Sequence, residues 1–186
     1  MIEQKLNMLP LPRHLKYILR PTGDSNNEFE LIGKIVCDCG SENFKIKIVG
    51  DSSSYASEKV IKVIEFDDNF YLIIKVECNN CNKEYLIFDN LLHGYNGFVC
   101  NGLIVGKDSK SIPRPDAKDW CCDKCGKTNH SMTVKIHSTG QNEFIENAGE
   151  EFDKNDWTET FDWITIKTEC KSCNETNEEW ISYETM

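Results

Sequence analysis

Cys37-Asp38-Cys39-Gly40, Cys78-Asn79-Asn80-Cys81, Cys122-Asp123-Lys124-Cys125-Gly126 and Cys170-Lys171-Ser172-Cys173 are the stretches on which the reading of this chain turns. Two cysteines separated by one or two residues in a tight turn can aim both sulfurs at one cation, while N–H groups of the turn donate to the thiolates. Two such turns complete a tetrahedron. The eight expected metal ligands are therefore Cys37, Cys39, Cys78, Cys81, Cys122, Cys125, Cys170 and Cys173. Cys100 and Cys121 stand outside the pairs and are read as a buried thiol and a bystander. Cys100 would complete the first site if Cys37 could not reach it.

Moving outward, the flanks of these turns repeat. Cys39-Gly40-Ser41-Glu42-Asn43-Phe44 and the strand after it align with Cys125-Gly126-Lys127-Thr128-Asn129-His130 and its strand, allowing a two-residue insertion. Phe70 to Cys78 aligns with Asp162 to Cys170. A repeat of roughly ninety residues points to a duplicated unit. Four turns allow three pairings, and the repeat favours pairing within each half: Cys37, Cys39, Cys78 and Cys81 for one ion, Cys122, Cys125, Cys170 and Cys173 for the other.

The pattern around the cysteines has a period of two. Phe44, Ile46 and Ile48 alternate with Lys45 and Lys47, and Met132, Val134 and Ile136 alternate with Thr133 and Lys135. Lys59 to Phe66 and Phe70 to Glu77 form β-branched runs joined by Asp67-Asp68-Asn69, a hairpin turn. Tyr85 to Phe88 and Glu179 to Tyr183 read as strands after the second and fourth turns.

A cysteine turn held between two strands, with Cys-x2-Cys-Gly at Cys122–Gly126 and Cys39-Gly40 in the first half, resembles the zinc-ribbon (rubredoxin-like) superfamily. Glycine there permits positive φ after the last ligand. The resemblance implies a mainly β fold of two tandem, elaborated zinc-ribbon-like units, each holding one Zn2+, with iron the lesser alternative. Two departures stand out: Cys37-x-Cys39 is one residue short, and the turns are separated by 38 and 44 residues. The expected division is an N-terminal arm at 1–28, a first unit at 29–106, a connector at 107–119 and a second unit at 120–186. Leu9 to Pro21 is expected as a short helix or an arm packed on the sheet.

The chain opens without an apolar run and small-residue cleavage site and has no stretch of membrane-spanning length, so a cytoplasmic address is expected, where thiols stay reduced. The abundance of Asn, Lys and Ile suggests a bacterial genome. The net charge of −10 is concentrated: residues 143–186 hold thirteen acidic side chains against Lys154, Lys167 and Lys171. Two four-thiolate zinc sites would carry it to about −14.

Such a chain is a poor default for gripping phosphates. The acidic quarter suggests instead a protein partner with a basic surface, as for an immunity- or inhibitor-type protein. Lys45, Lys47, Lys59 and Lys62 are the best basic stripe for the nucleic-acid or translation-associated alternative. A rubredoxin-like electron carrier is the third reading. No glycine-rich phosphate loop, nucleophile elbow or His-Glu metal helix is present, so no enzyme is expected. Asp89 to Val99 reads as turns whose aromatics cover the core, and Gln141 to Glu159 as a solvated acidic loop with its aromatics turned inward.

Overall fold

The computed structural model describes residues 11–23, 28–51, 61–101, 112–138, 140–147 and 152–186. Its strands are β1 (Leu19–Pro21), β2 (Glu30–Ile35), β3 (Phe44–Val49), β4 (Ile64–Phe66), β5 (Asn69–Tyr71), β6 (Ile73–Cys78), β7 (Glu84–Asp89), β8 (Lys118–Trp120), β9 (His130–His137), β10 (Trp163–Cys170) and β11 (Thr176–Glu184). Among the described residues, all strands but β4 and β5 belong to one nine-stranded antiparallel sheet.

Two meanders, β3-β6-β7 and β9-β10-β11, meet at one pair of residues, Phe44 and His130. In each, the next strand returns to end on a cysteine: Phe44 pairs with Cys78, and His130 with Cys170. A row Cys78–Phe44–His130–Cys170 therefore crosses four strands, with equivalent residues facing each other at its centre. The lead-in strands are exchanged. β2, which precedes the first cysteine turn, pairs with β9 of the other half (Gly33 with Val134), and β8, which precedes the third, pairs with β3 (Ile48 with Lys118).

The register refines the sequence reading in two ways. The strands of the two halves interlock in one sheet, with β2 laddered on β9 and β8 on β3. The two-residue insertion is also unnecessary. Asn79 donates its N–H to the Asn43 carbonyl (3.0 Å) as Lys171 does to Asn129 (2.8 Å), so Phe44 and His130 are equivalent. The shift of two kept every residue on its correct face, since side chains alternate with period two.

Strand alternation buries one face. Phe44, Ile46 and Ile48 of β3, Met132, Val134 and Ile136 of β9, and Ile164 and Ile166 of β10 enter one core with Leu15, Ile18 and Leu19 of the arm. The sheet curls until its outer strands meet: the Phe88 ring of β7 lies 5.5 Å from Tyr183 of β11, and Ile61 donates its N–H to the Trp180 carbonyl at 3.0 Å. Trp120 packs against Trp180 at 4.9 Å and against His130 at 4.4 Å. Phe44 is fully buried at the meeting point, and truncating it to alanine is expected to cost about 3–5 kcal/mol.

The arm forms turns at 13–18 rather than a helix, then adds β1 to β2. The run 59–66 is a strand only over Ile64–Phe66, with 59 and 60 outside the described residues; it pairs with Asn69–Tyr71 across Asp67-Asp68, both at positive φ. The acidic stretch expected as a loop contains helix α1 (Gln141–Asn147) and a 3-10 turn (Lys154–Glu159) capped by Asp153. Phe144 is buried there, as expected of its aromatics, and Phe152 packs beside it. The connector is described from residue 112, and its end, Lys118 and Asp119, is already strand β8. Among the described residues no helix is long and apolar enough to cross a membrane.

Candidate metal centres

The backbone of each cysteine turn explains how its sulfurs converge. At Cys78, Cys122 and Cys170 the first cysteine donates its N–H to the carbonyl five residues on (Lys83, Lys127, Glu175; 2.8–2.9 Å). Its own carbonyl accepts from the residue four on (Asn82, Gly126, Asn174; 2.8–2.9 Å). The short turn keeps the same two bonds with one residue fewer: Cys37 N–H to Ser41 (2.9 Å), and Gly40 N–H to Cys37 (2.8 Å). The residue after each second cysteine has positive φ: Gly40 (84°), Asn82 (58°), Gly126 (69°) and Asn174 (59°). Glycine and asparagine are the residues that tolerate this conformation.

The second and fourth turns sit at the tips of the β6-β7 and β10-β11 hairpins, and the first and third between exchanged strands. The structure thus brings all eight nominated cysteines together in two groups of four, each with its sulfurs within 4.8 Å of one another. Within the first group Cys37 lies 3.4 Å from Cys81 and Cys39 3.6 Å from Cys78. Within the second, Cys122 lies 3.7 Å from Cys173 and Cys125 3.6 Å from Cys170. A disulfide would need about 2 Å. A tetrahedron with metal–sulfur bonds of about 2.3 Å has edges of about 3.8 Å, close to these separations, so the donors fit a four-thiolate metal ion. Cys100 and Cys121 belong to neither group; the Cys100 thiol donates toward the Asn96 side-chain oxygen (3.5 Å), and Cys121 is exposed.

Each group has a buried pair (Cys37 and Cys78; Cys122 and Cys170) and a more open pair. The Asn80 side-chain amide (3.5 Å) and the Ser41 N–H hold Cys39 down to about 6. Burial pushes Cys170 up, but N–H groups of Ser172 and Cys173 outweigh it and bring it down to about 7. Cys81 and Cys173 accept from the N–H groups of Lys83 and Glu175, yet the neighbouring sulfurs drive both up to about 12. Four thiolates this close repel; a divalent cation is what lets all four ionise together.

Outside the sulfurs the sites differ. The Tyr85 hydroxyl lies 3.2 Å from the Cys37 sulfur and accepts the Asp38 N–H at 3.3 Å. Asn177 stands at the corresponding place after Cys173. Lys83 pairs with Asp38 across the first site, and Lys124 with Glu175 (3.0 Å) across the second, with signs reversed between the turns. The sites touch through Asn79, whose side-chain amide donates to the Asn43 (3.0 Å) and Asn129 (3.2 Å) side-chain oxygens.

The nominated basic stripe is matched by acid. Lys47 contacts Glu77 (2.7 Å) and Glu84 (2.9 Å), and Lys45 reaches Glu77 (3.4 Å). Lys59 lies outside the described residues, and Lys62 has interactions of its own. The acidic quarter is partly consumed as well: Asp156 and Glu159 meet Arg13, Asp162 meets His137 (2.9 Å), and Glu178 meets Lys167 (2.7 Å). Glu146, Asp153, Glu179 and Glu184 remain exposed, and Glu150 and Glu151 lie outside the described residues.

One arrangement had no signal in the sequence. His14 and His93 stack with ring centroids 3.7 Å apart and planes 5° apart. The Asp89 N–H donates to His93 Nδ1 (3.0 Å), and burial depresses His14 to about 4 and His93 well below the usual imidazole range. Comparison of the chain with protein-family models, with curated proteins and with solved structures returns no match.

Proposed function

We propose that the chain is a zinc-stabilised protein-interaction module in which both metal ions hold the fold and neither performs chemistry. The observation that carries this is the closure of the sites: four sulfurs for each ion leave no coordination position for a substrate. Metal-binding energy in such sites is folding energy, and here it fixes the two ends of the sheet row that joins the halves. A tetrahedron of four thiolates accepts either zinc or iron, and zinc is taken here because the sequence carries no cofactor-handling motif.

A protein partner with a basic surface is the reading the charge supports, in the manner of an immunity or inhibitor protein. The glutamates beside Lys45 and Lys47 weigh against the nucleic-acid alternative, since a phosphate backbone would have to displace them. The test has two parts. Purified chain should contain two zinc ions and no visible absorbance, whereas an absorbing iron form would favour an electron carrier. Charge reversal to lysine at Glu150, Glu151 and Asp153 should weaken capture of the partner at least tenfold; capture that ignores the reversal removes the acidic-face reading.

A further inference from the structure

The exchanged lead-in strands are equivalent, yet they are covered differently. On the outer side of β2 lies β1: Thr22 donates to the Ile32 carbonyl (3.0 Å), Val36 to Ile18 (2.7 Å), and Arg20 stands opposite Lys34. On the outer side of β8, among the described residues, there is no strand.

The register shows which groups are left open. Asn43 turns its carbonyl to β6, so Lys45 and Lys47 also direct their backbone groups there, and Ile46 and Ile48 direct theirs to β8. Their partners Trp120 and Lys118 answer them. The N–H and C=O of Asp119 between them face away from β3, as those of Lys34 face β1 on the other half. Ile35 and Trp120 each stand two residues before the first cysteine of their turn, so Asp119 is the counterpart of Lys34 and Cys121 that of Val36.

The surroundings select the occupant. Among the described residues, a cavity of about 460 Å3 opens beside β8, lined in part by Asp116, Asp119 and Asp123 and by one cation, Lys118. Where β1 sets Arg20 against Lys34, a like-charge pair, the same cation opposite Asp119 would be complementary. We infer that β8 is a docking edge for an extended segment of a partner protein, added as an antiparallel strand with a lysine or arginine opposite Asp119 and an apolar residue opposite Trp120, in the position Arg20 and Leu19 take on β2. This adds a second binding surface to the acidic one proposed above.

The chain supplies its own probe: a synthetic peptide of residues 13–22, Arg-His-Leu-Lys-Tyr-Ile-Leu-Arg-Pro-Thr. Saturating the metal-loaded full chain with it should slow hydrogen exchange at the Asp119 amide at least tenfold and shift the amide resonances of residues 118–121. The same peptide with its Arg13, Lys16 and Arg20 positions changed to glutamate should bind at least tenfold more weakly. Asp119→Pro, which deletes an N–H that β3 does not use, should abolish binding, and Asp119→Lys should weaken it at least tenfold with the fold intact. An unchanged Asp119 amide, or equal binding by both variants, overturns the inference. So does an Asp119 amide already protected in the free chain, which would mean that its own segment covers the edge. Self-association broken by Asp119→Pro would make the occupant a second copy and also overturns it. Elemental analysis of the same sample separates the claims: two metals without an edge response sinks only the docking edge, and an edge response with fewer metals sinks only the structural-metal reading.

Discussion

The two cysteine sites are alike at the sulfurs and unlike a few ångströms away. Both use the same pair of backbone bonds per turn and the same left-handed residue after the second ligand, although the Cys37 turn has one residue fewer. Beyond that, one site has a tyrosine against its buried sulfur and the other an asparagine at the matching place, and the ion pair across each site has opposite polarity. The likeness lies in the turn backbone and in the four sulfurs that could hold a metal ion, while the contacts outside them differ.

The largest effect tests whether the sites act on one structure or two. Because Cys78–Phe44–His130–Cys170 is one row, serine at either Cys78 or Cys170 should cost the zinc of that site and unfold both halves together. A structural zinc contributes about 10–16 kcal/mol, as much as a typical domain's entire stability. The check is a single cooperative loss of native circular dichroism with metal content below two; one half surviving intact would show two independent units.

The next effect belongs to the arm that covers β2. His14 is held near 4 in the fold against 6.5 unfolded. Its folded value is depressed, so the unfolded chain takes up the proton first; the resulting stability is full above about 6.5 and is lost as pH falls toward 4. A shift of this size corresponds to about 3 kcal/mol. His93, Asp89 and Arg114 adjoin the stack. His14→Leu should flatten the stability–pH profile between 6.5 and 4 relative to the unaltered chain, measured by urea unfolding at each pH.

Smaller still, Gly40→Ala and Gly126→Ala should each cost about 1 kcal/mol, because a side chain at positive φ is strained although nothing lies within 4 Å of the added carbon. Equal shifts in the two denaturant midpoints would uphold the likeness of the turns. Tyr85→Phe should cost about 1 kcal/mol or less and speed metal loss to a chelator at the first site alone, seen as one faster phase of two.

Much of the site was legible because its signal is local. Cys-x2-Cys followed by Gly or Asn encodes the turn, and alternation such as Phe44-Lys45-Ile46-Lys47-Ile48 encodes the strand beside it. The exchange of β2 and β8 was not legible: nothing in Glu30–Ile35 says whether its ladder lies on β3 or β9. His130 concealed the true alignment, since a fully buried histidine facing Trp120 stands where the other half has Phe44. The short helices at Gln141–Asn147 and Lys154–Glu159 escaped because polar residues masked the inward Phe144 and Trp157.

The central claim is tested most directly by the mass of the intact chain under native conditions, with elemental analysis of the same sample. The account predicts two zinc ions per chain with all eight ligand cysteines unavailable to alkylation until a chelator is added. Disulfides among those cysteines, or a folded chain carrying no metal, would contradict it.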